Sequence, residues 1–486
     1  MAWLLSIPLL DWLLRLVMVP VVLKTDRLPS QHLAWLTLIF LLPIVGIPLY
    51  LLIGIQVLGR RRTKLRDRID AQFQRDLIVD RFAPFALGDQ APAEVRRPIR
   101  IIEAVTGLPA LAHNHADFTD NAHAIIDRLI QAIDAAQHHA HLMYYIVQAE
   151  PAVHRVADAL CNAAQRGVEC RFLVDAVGSS DFIDTAAWQR MERAGVRLQP
   201  MLPVASFRVL FERLDVRNHR KLAVFDGTTA HCGSMNLADP DGDTTEGQSQ
   251  NVVGFYQGPV VSALQFVFAH DWEAETGDRL DGDAYFPHLK TETEPDPLSN
   301  TPGNTAAHMI ASGPSQRRGR VSQVLLSAIN QASDRIIITT PYFVPDEPML
   351  VGLQLAALRG VHVQLVVPTR SDHRICDAAA RAYFTPLLDA GVHIHRYPQG
   401  LLHAKTVTVD HHTAVCGSAN LDIRSFEINY ELNVITFGQA ATDALRVIQE
   451  RYLDATGPPL DADQWADRPL HHRTLDRLCA LASPVL

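Results

Sequence analysis

At 486 residues the chain is long enough for two or three domains, each with a core of its own. A formal charge of −9 argues against a dedicated nucleic-acid binder, and 48% hydrophobic with 20% charged residues excludes a disordered or wholly membrane-embedded chain. The cysteines (Cys161, Cys170, Cys232, Cys376, Cys416 and Cys479) are scattered with no C-x-x-C pair, which disfavours a disulfide framework or zinc knuckle and points to a reducing compartment.

The first elements are apolar. From Leu33 to Leu58 the run LAWLTLIFLLPIVGIPLYLLIGIQVL has no charged residue and is long enough to cross a bilayer as one helix. Its Pro43, Gly46, Pro48 and Gly54 are tolerated in membrane helices. The stretch from Trp3 to Leu23 contains Asp11 and Arg15, whose i,i+4 spacing lets them pair on one face; a second span or an interfacial helix both fit it. A basic cluster follows, Arg60, Arg61, Arg62, Lys64, Arg66 and Arg68. The positive-inside rule places it, and everything after it, in the cytoplasm; the cluster could also hold the catalytic part against anionic lipid.

Beyond a connector with Pro84, Pro92 and Pro98, the chain repeats itself. NAHAIIDRLIQAIDAA, HLMYYIV and AAQRGVECRFLVD in the first half correspond to QVLLSAINQAS, IIITTPYFV and LAALRGVHVQLVVP in the second. Alternating helices and short apolar strands indicate α/β layering, and so long a period indicates a duplicated domain. The expected organisation is an anchor over 1–59, a juxtamembrane segment and connector over 60–100, a first domain over 101–289, a linker over 290–303 and a second domain over 304–486.

Each half closes on the same constellation. His219-Arg-Lys221, Asp226 and Gly233-Ser234-Met-Asn236 are matched, offset for offset, by His403-Ala-Lys405, Asp410 and Gly417-Ser418-Ala-Asn420. His and Lys two apart on a strand project to one side. The Gly-Ser-x-Asn turn would let Ser234, Asn236, Ser418 and Asn420 approach a phosphate. Pairing the halves would bring two His, two Lys and two Asn around one phosphorus, with one imidazole attacking and the other protonating the leaving alkoxide. Asp226 and Asp410 complete the candidate catalytic set, although a place at the far end of a strand reads as structural. No metal or other cofactor is required. The His138-His139-Ala-His141, His411-His412 and His471-His472 clusters lack matched ligands and are read as solvated surface. Cys232 and Cys416 are read as small buried strand residues.

These paired H-x-K-x4-D motifs resemble the phospholipase D superfamily, and the match extends over nearly the whole chain to bacterial cardiolipin synthases of that type. Trp35, Pro43, Gly46, Tyr50 and Gly54 resemble the family's anchor, Thr340-Pro-Tyr-Phe-Val-Pro345 its second-half strand, and Asn420-Leu-Asp422-Ile-Arg424-Ser425, with Asn429 and Glu431, its second-motif tail. The resemblance implies two pseudo-twofold-related α/β domains behind a transmembrane helical hairpin in the bacterial inner membrane. It implies transfer between two phosphatidylglycerol molecules, giving cardiolipin and glycerol through a phosphohistidine without metal; a hydrolase or a transphosphatidylase with another alcohol acceptor is the alternative. His219 is then the nucleophile and His403 the acid/base, or the reverse. Glu431 would orient the histidine of the opposite half. Asn251 stands where relatives carry an acid, and Glu246 is the alternative support for His403.

Overall fold

The computed structural model describes residues 2–25, 29–54, 65–66, 68–69, 81–88, 91–203, 216–242, 249–288, 305–314 and 319–481. The linker expected over 290–303 and the candidate Glu246 lie outside them. The chain divides into two units, residues 1–65 with 203–216, and 66–202 with 217–486.

In the smaller unit, helices run over Ala2–Leu23, Pro29–Leu41 and Pro43–Leu49, followed by a π turn over Tyr50–Gly54. Among the described residues no helix is long and apolar enough to cross a membrane. The single long helix expected from Leu33 is interrupted at Leu42, which leaves the helical region at φ −134° and ψ 66°. The physical reason is Pro43, whose ring disfavours helical geometry in the residue before it. Arg15 donates to Asp11 Oδ2 and to the Phe40 carbonyl, so the charged pair is satisfied within this unit. Among the described residues of this unit Met18, Val22, Ile39 and Tyr50 form a small buried cluster, while Leu33, Leu41 and Ile44 are exposed.

The larger unit is built on one sheet. Its first half supplies β1 (Leu111–Thr119), β2 (His139–Tyr144), β3 (Glu169–Asp175), β4 (Arg197–Met201), β5 (Leu222–Phe225), β6 (Thr229–Gly233) and β7 (Val253–Gln257). The second half supplies β8 (Thr305–Ser312), β9 (Arg335–Thr339), β10 (Phe343–Val344), β11 (His362–Pro368), β12 (His393–Tyr397), β13 (Thr406–Val409), β14 (Thr413–Gly417), β15 (Leu421–Asp422) and β16 (Glu431–Phe437). The strand order is β12-β11-β9-β13-β14-β16-β8-β1-β7-β6-β5-β2-β3-β4, with β10 and β15 forming a separate pair. Each half therefore has three parallel strands at its outer edge and antiparallel strands towards the middle. The halves meet where β1 and β8 run antiparallel.

The seam has its own chemistry. Its register shifts between Leu111 and Asn114, where His113 has φ +60°. Buried Asn114 closes the irregularity by donating to the Leu111, Ala112 and Thr305 carbonyls and accepting from Val260 N. Those bonds satisfy backbone groups that a bulge would otherwise leave unpaired. The stretch expected as connector includes a helix over Ala93–Thr106, ended by Gly107 at φ +75°. Its Val95, Ile99 and Ile102 share a core with Val324, Leu325 and Ile336 of the second half. Burying each such side chain contributes roughly 1.5–3 kcal/mol, so this segment is part of the fold.

Candidate active site

Both histidine motifs enter the sheet in the same way. His219 and Lys221 lead directly into β5, and His403 and Lys405 into β13; all four side chains are buried. The motif backbone crosses to the other half before it joins its own sheet. His219 N donates to the Tyr430 carbonyl, while Tyr430 N donates to the Arg217 carbonyl. In the other half-site His403 N donates to the Gln250 carbonyl and Gln250 N to the Leu401 carbonyl. Each histidine is thus held by main chain from the opposite repeat.

The side chains repeat this exchange. His219 Nδ1 lies 3.0 Å from Glu431 Oε2, and His403 Nδ1 lies 2.9 Å from Asn251 Oδ1. The amide orientation of Asn251 follows from its nitrogen, which donates to the Ser249 carbonyl and hydroxyl. Its oxygen therefore faces the ring, Nδ1 of His403 is the donor, and Nε2 carries the lone pair. Lys221 Nζ donates to the His219 carbonyl at 2.9 Å and Lys405 Nζ to the His403 carbonyl at 2.7 Å. Burial holds both imidazoles well below the usual histidine range, and both lysines push each ring further down. Burial also raises Glu431 to about 7, against the pull of Lys221 and the Ser418 hydroxyl. Tyr145 stands edge-on to the His219 ring, at 5.1 Å between centroids.

Several expected site residues lie elsewhere. Asp226 accepts from the Gln137, His138 and His139 amides, and Asp410 from those of Ser333, Asp334 and Arg335. A four-residue strand separates each from its motif lysine, a span of roughly 16 Å. Both aspartates sit at positive φ and fasten the turn after that strand to the loop entering β2 or β9, away from the reacting centre. Ser234 and Ser418, expected to approach a phosphate, have their hydroxyls bonded within the protein. They are fully buried, donate to Asn251 Oδ1 and Glu431 Oε2, and accept from Val252 N and Leu432 N. Gly233 and Gly417 are required by close packing, since a Cβ there would meet the Val252 or Leu432 carbonyl. Asn236 Oδ1 accepts from Ile146 N, and Asn420 Nδ2 donates to Asp422 Oδ2 at 3.0 Å.

A charged cluster behind His219 was not anticipated. Arg220, the middle residue of the first motif, is buried and donates to Asp271, to the Ser312 carbonyl and to the Glu431 carbonyl. Arg66 shares Asp271 at 2.9 Å and lies over the Tyr430 ring at 4.4 Å. That corrects one member of the basic cluster: Arg66 is buried in protein, because Asp271 and Glu275 offer it carboxylates. The only sequence signal was the difference between Arg220 and Ala404 at matching places. His139 and His141 are also buried, stacked 4.4 Å apart with His141 against Phe268, and not solvated as expected. His411, by contrast, is exposed. Cys232 and Cys416 are buried strand residues, each with its sulfur near a carbonyl of the other half, Leu432 and Val252 respectively.

Comparison with known proteins agrees with this geometry. The cardiolipin synthase, PLD-like domain family matches residues 129–272 and 325–453. Cardiolipin synthase A of Yersinia pseudotuberculosis serotype O:1b is 35% identical over 473 residues, 96% of this chain and 95% of its own. Cardiolipin synthase A of Serratia proteamaculans is 34% identical over 474 residues, with the same coverage. In fold, the crystal structure of phosphatidylserine synthase from Haemophilus influenzae Rd KW20 aligns with TM-score 0.60 at 14% identity, over 80% of this chain and 100% of that one. The chain belongs to the cardiolipin synthases of the phospholipase D type, enzymes that transfer phosphatidyl groups.

Proposed function

We propose that the enzyme joins two phosphatidylglycerol molecules into cardiolipin and glycerol, with His219 as nucleophile and His403 as acid and base. The lone pair on His219 Nε2 attacks the phosphorus of the first lipid while the bond to its glycerol oxygen breaks. The lipid phosphodiester anion, once bound beside Nε2, favours protonation of His403 there; that proton passes to the glycerol oxygen, and glycerol leaves. Neutral His403 then takes the proton of a glycerol hydroxyl on the second lipid, whose oxygen attacks the phosphorus and releases His219. The observation that carries the assignment is the Glu431 carboxylate at His219 Nδ1. An imidazole bonded to phosphorus through Nε2 and still protonated at Nδ1 is positively charged, and a carboxylate stabilises it whereas an amide does not. Lys221 and Lys405 supply positive charge beside the phosphoryl oxygens, so no metal enters the scheme.

This reading includes a membrane seat for residues 1–59 and a cytoplasmic catalytic part. Its support is the charge-free run from Leu33, the exposed leucines and isoleucine on these helices, and the basic cluster after it. Mass spectrometry of lipids formed by the purified protein from phosphatidylglycerol alone tests the function. Cardiolipin and glycerol in equal amounts are expected, and activity persists in EDTA. Phosphatidic acid as the dominant product would make the enzyme a hydrolase.

A further inference from the structure

We propose that the helix Leu470–Ala480 docks on an anionic phospholipid surface, seating a lipid phosphodiester in the arginine-lined cavity beside it. The helix packs on Arg374–Asp389 and turns a single buried acid, Asp476, towards it. Asp476 accepts from Arg381 Nε and Arg468 Nη1, both at 2.9 Å. With about 100° between successive residues, Leu470, Leu475 and Leu478, with Leu481 just beyond, fall on the opposite side. They are 76%, 53%, 58% and 77% exposed, respectively. Four large leucines left in water on one helix face are an unpaired apolar surface.

Arg473, Arg477 and Leu481 run along one edge of that face at i,i+4 spacing. Arg473 and Arg477 join Arg381 and Arg468 around a cavity of about 190 Å³, with Asp389 and Asp476 as its carboxylates. Four cations against two anions leave an excess of two positive charges. Guanidinium forks match the paired oxygens of a phosphodiester. A leucine face bordered by such a site has the composition of a helix lying in a headgroup layer, with its apolar side at the acyl boundary. A second copy packed through the same leucines would bring its own Arg473 and Arg477, like charges, to that face, so charge complementarity favours lipid.

The proposal rests on the reading that the enzyme works at a bilayer, but the two can fail separately. The full-length protein is reconstituted in nanodiscs of phosphatidylcholine with or without phosphatidylglycerol, and amide hydrogen exchange is followed at residues 470–481. Exchange is expected to be slower with phosphatidylglycerol by on the order of tenfold, given that basic residues near an anionic surface attract it. The double variant Arg473→Glu/Arg477→Glu loses that difference, and Leu475→Glu/Leu478→Glu loses protection in both nanodiscs. Unchanged exchange in β9 and β13 certifies the fold of each variant. Equal exchange in the two nanodiscs overturns the proposal. So does equal protection by inorganic phosphate in detergent, which indicates a free-anion site, or protection rising with protein concentration, which indicates a second copy. Loss of cardiolipin formation by the unaltered protein would strike the proposed function and leave the exchange result standing.

Discussion

The two half-sites are made by the same strands in the same order, yet one imidazole is backed by a carboxylate and the other by an amide. Glu431 and Asn251 occupy matching places, each at a histidine of the opposite repeat and each steadied by a serine of its own Gly-Ser turn. Arg220 links the first motif to Asp271, while Ala404 leaves the second without such an anchor. The lesson is that a duplicated scaffold fixes position twice over, and that charge is what distinguishes the partners. One ring is suited to hold a covalent positive charge, the other to pass a proton back and forth.

The largest expected effect tests whether the rings act as a unit. His219→Ala and His403→Ala should each lower turnover by about 10⁴-fold or more, with the double variant little worse. Phosphate label trapped from labelled lipid should map to His219 as an acid-labile, base-stable adduct. Label on His403 would invert the comparison. Next comes the carboxylate: Glu431→Gln should cost on the order of 10³-fold in kcat, because the phosphohistidine loses its counter-charge. A wild-type rate would reduce Glu431 to a structural role.

The third test concerns stability. Arg220→Ala leaves the buried carboxylate of Asp271 with Arg66 and His270 but without its Arg220 partner and should cost about 3–5 kcal/mol, read by denaturant unfolding. A smaller effect is expected from Asn251→Asp. A carboxylate favours the charged imidazole, so the limb of the pH–rate profile that reports His403 should move upward by about 1–3 pH units. The change also faces an oxygen towards the Ser249 carbonyl in place of a donor, at a cost of about 1–3 kcal/mol. An unmoved limb would mean that Asn251 does not tune His403.

The last effect is common to both halves. Burial holds His139 at about 4, His231 at about 3 and His308 at about 4, and keeps His141, His219 and His403 well below the usual value. Each has a folded pKa below its unfolded value of about 6.5, so the unfolded chain binds more protons in acid. Stability should be full above pH 6.5 and fall as pH drops towards 4. Glu431 at about 7, Asp422 at about 6 and Asp175, also raised, oppose this, since burial raises them and the folded state keeps their protons. Six histidines outweigh three acids, and thermal unfolding across pH 4–8 should show a net loss in acid.

The repeat and the two motifs were legible because identical spacings recur in order, and the pairing of Glu431 with His219 followed from the family likeness. What stayed hidden depends on contacts between distant residues. A Gly-Ser turn looks like a phosphate cradle until the opposing strand is present and engages its serine hydroxyl. An arginine in a basic cluster looks like a membrane contact until Asp271, on a helix some 200 positions later, lies beside it. Aspartates ending a motif share its catalytic spacing yet read as structural from their place on the strand, and the loop amides they fasten show what they hold. In each case local chemistry permits two roles, and long-range packing selects one.

The seam between β1 and β8 has a further consequence for how the chain is made. β1 is paired on one side by β7 of its own half and on the other by a strand that begins only at Thr305. During synthesis at roughly 5–20 residues per second, translating the second half takes on the order of 10–40 s. Through that interval the first half carries an open sheet edge, which is a template for unwanted pairing. The helix Ala93–Thr106 waits equally long, since its core partners lie in the second half. His219 acquires its hydrogen bond to Tyr430 only near the end of translation. A truncated or stalled first half should therefore aggregate rather than accumulate as a partly active enzyme, and nascent-chain pelleting assays should show solubility returning only when β8 and β16 have emerged.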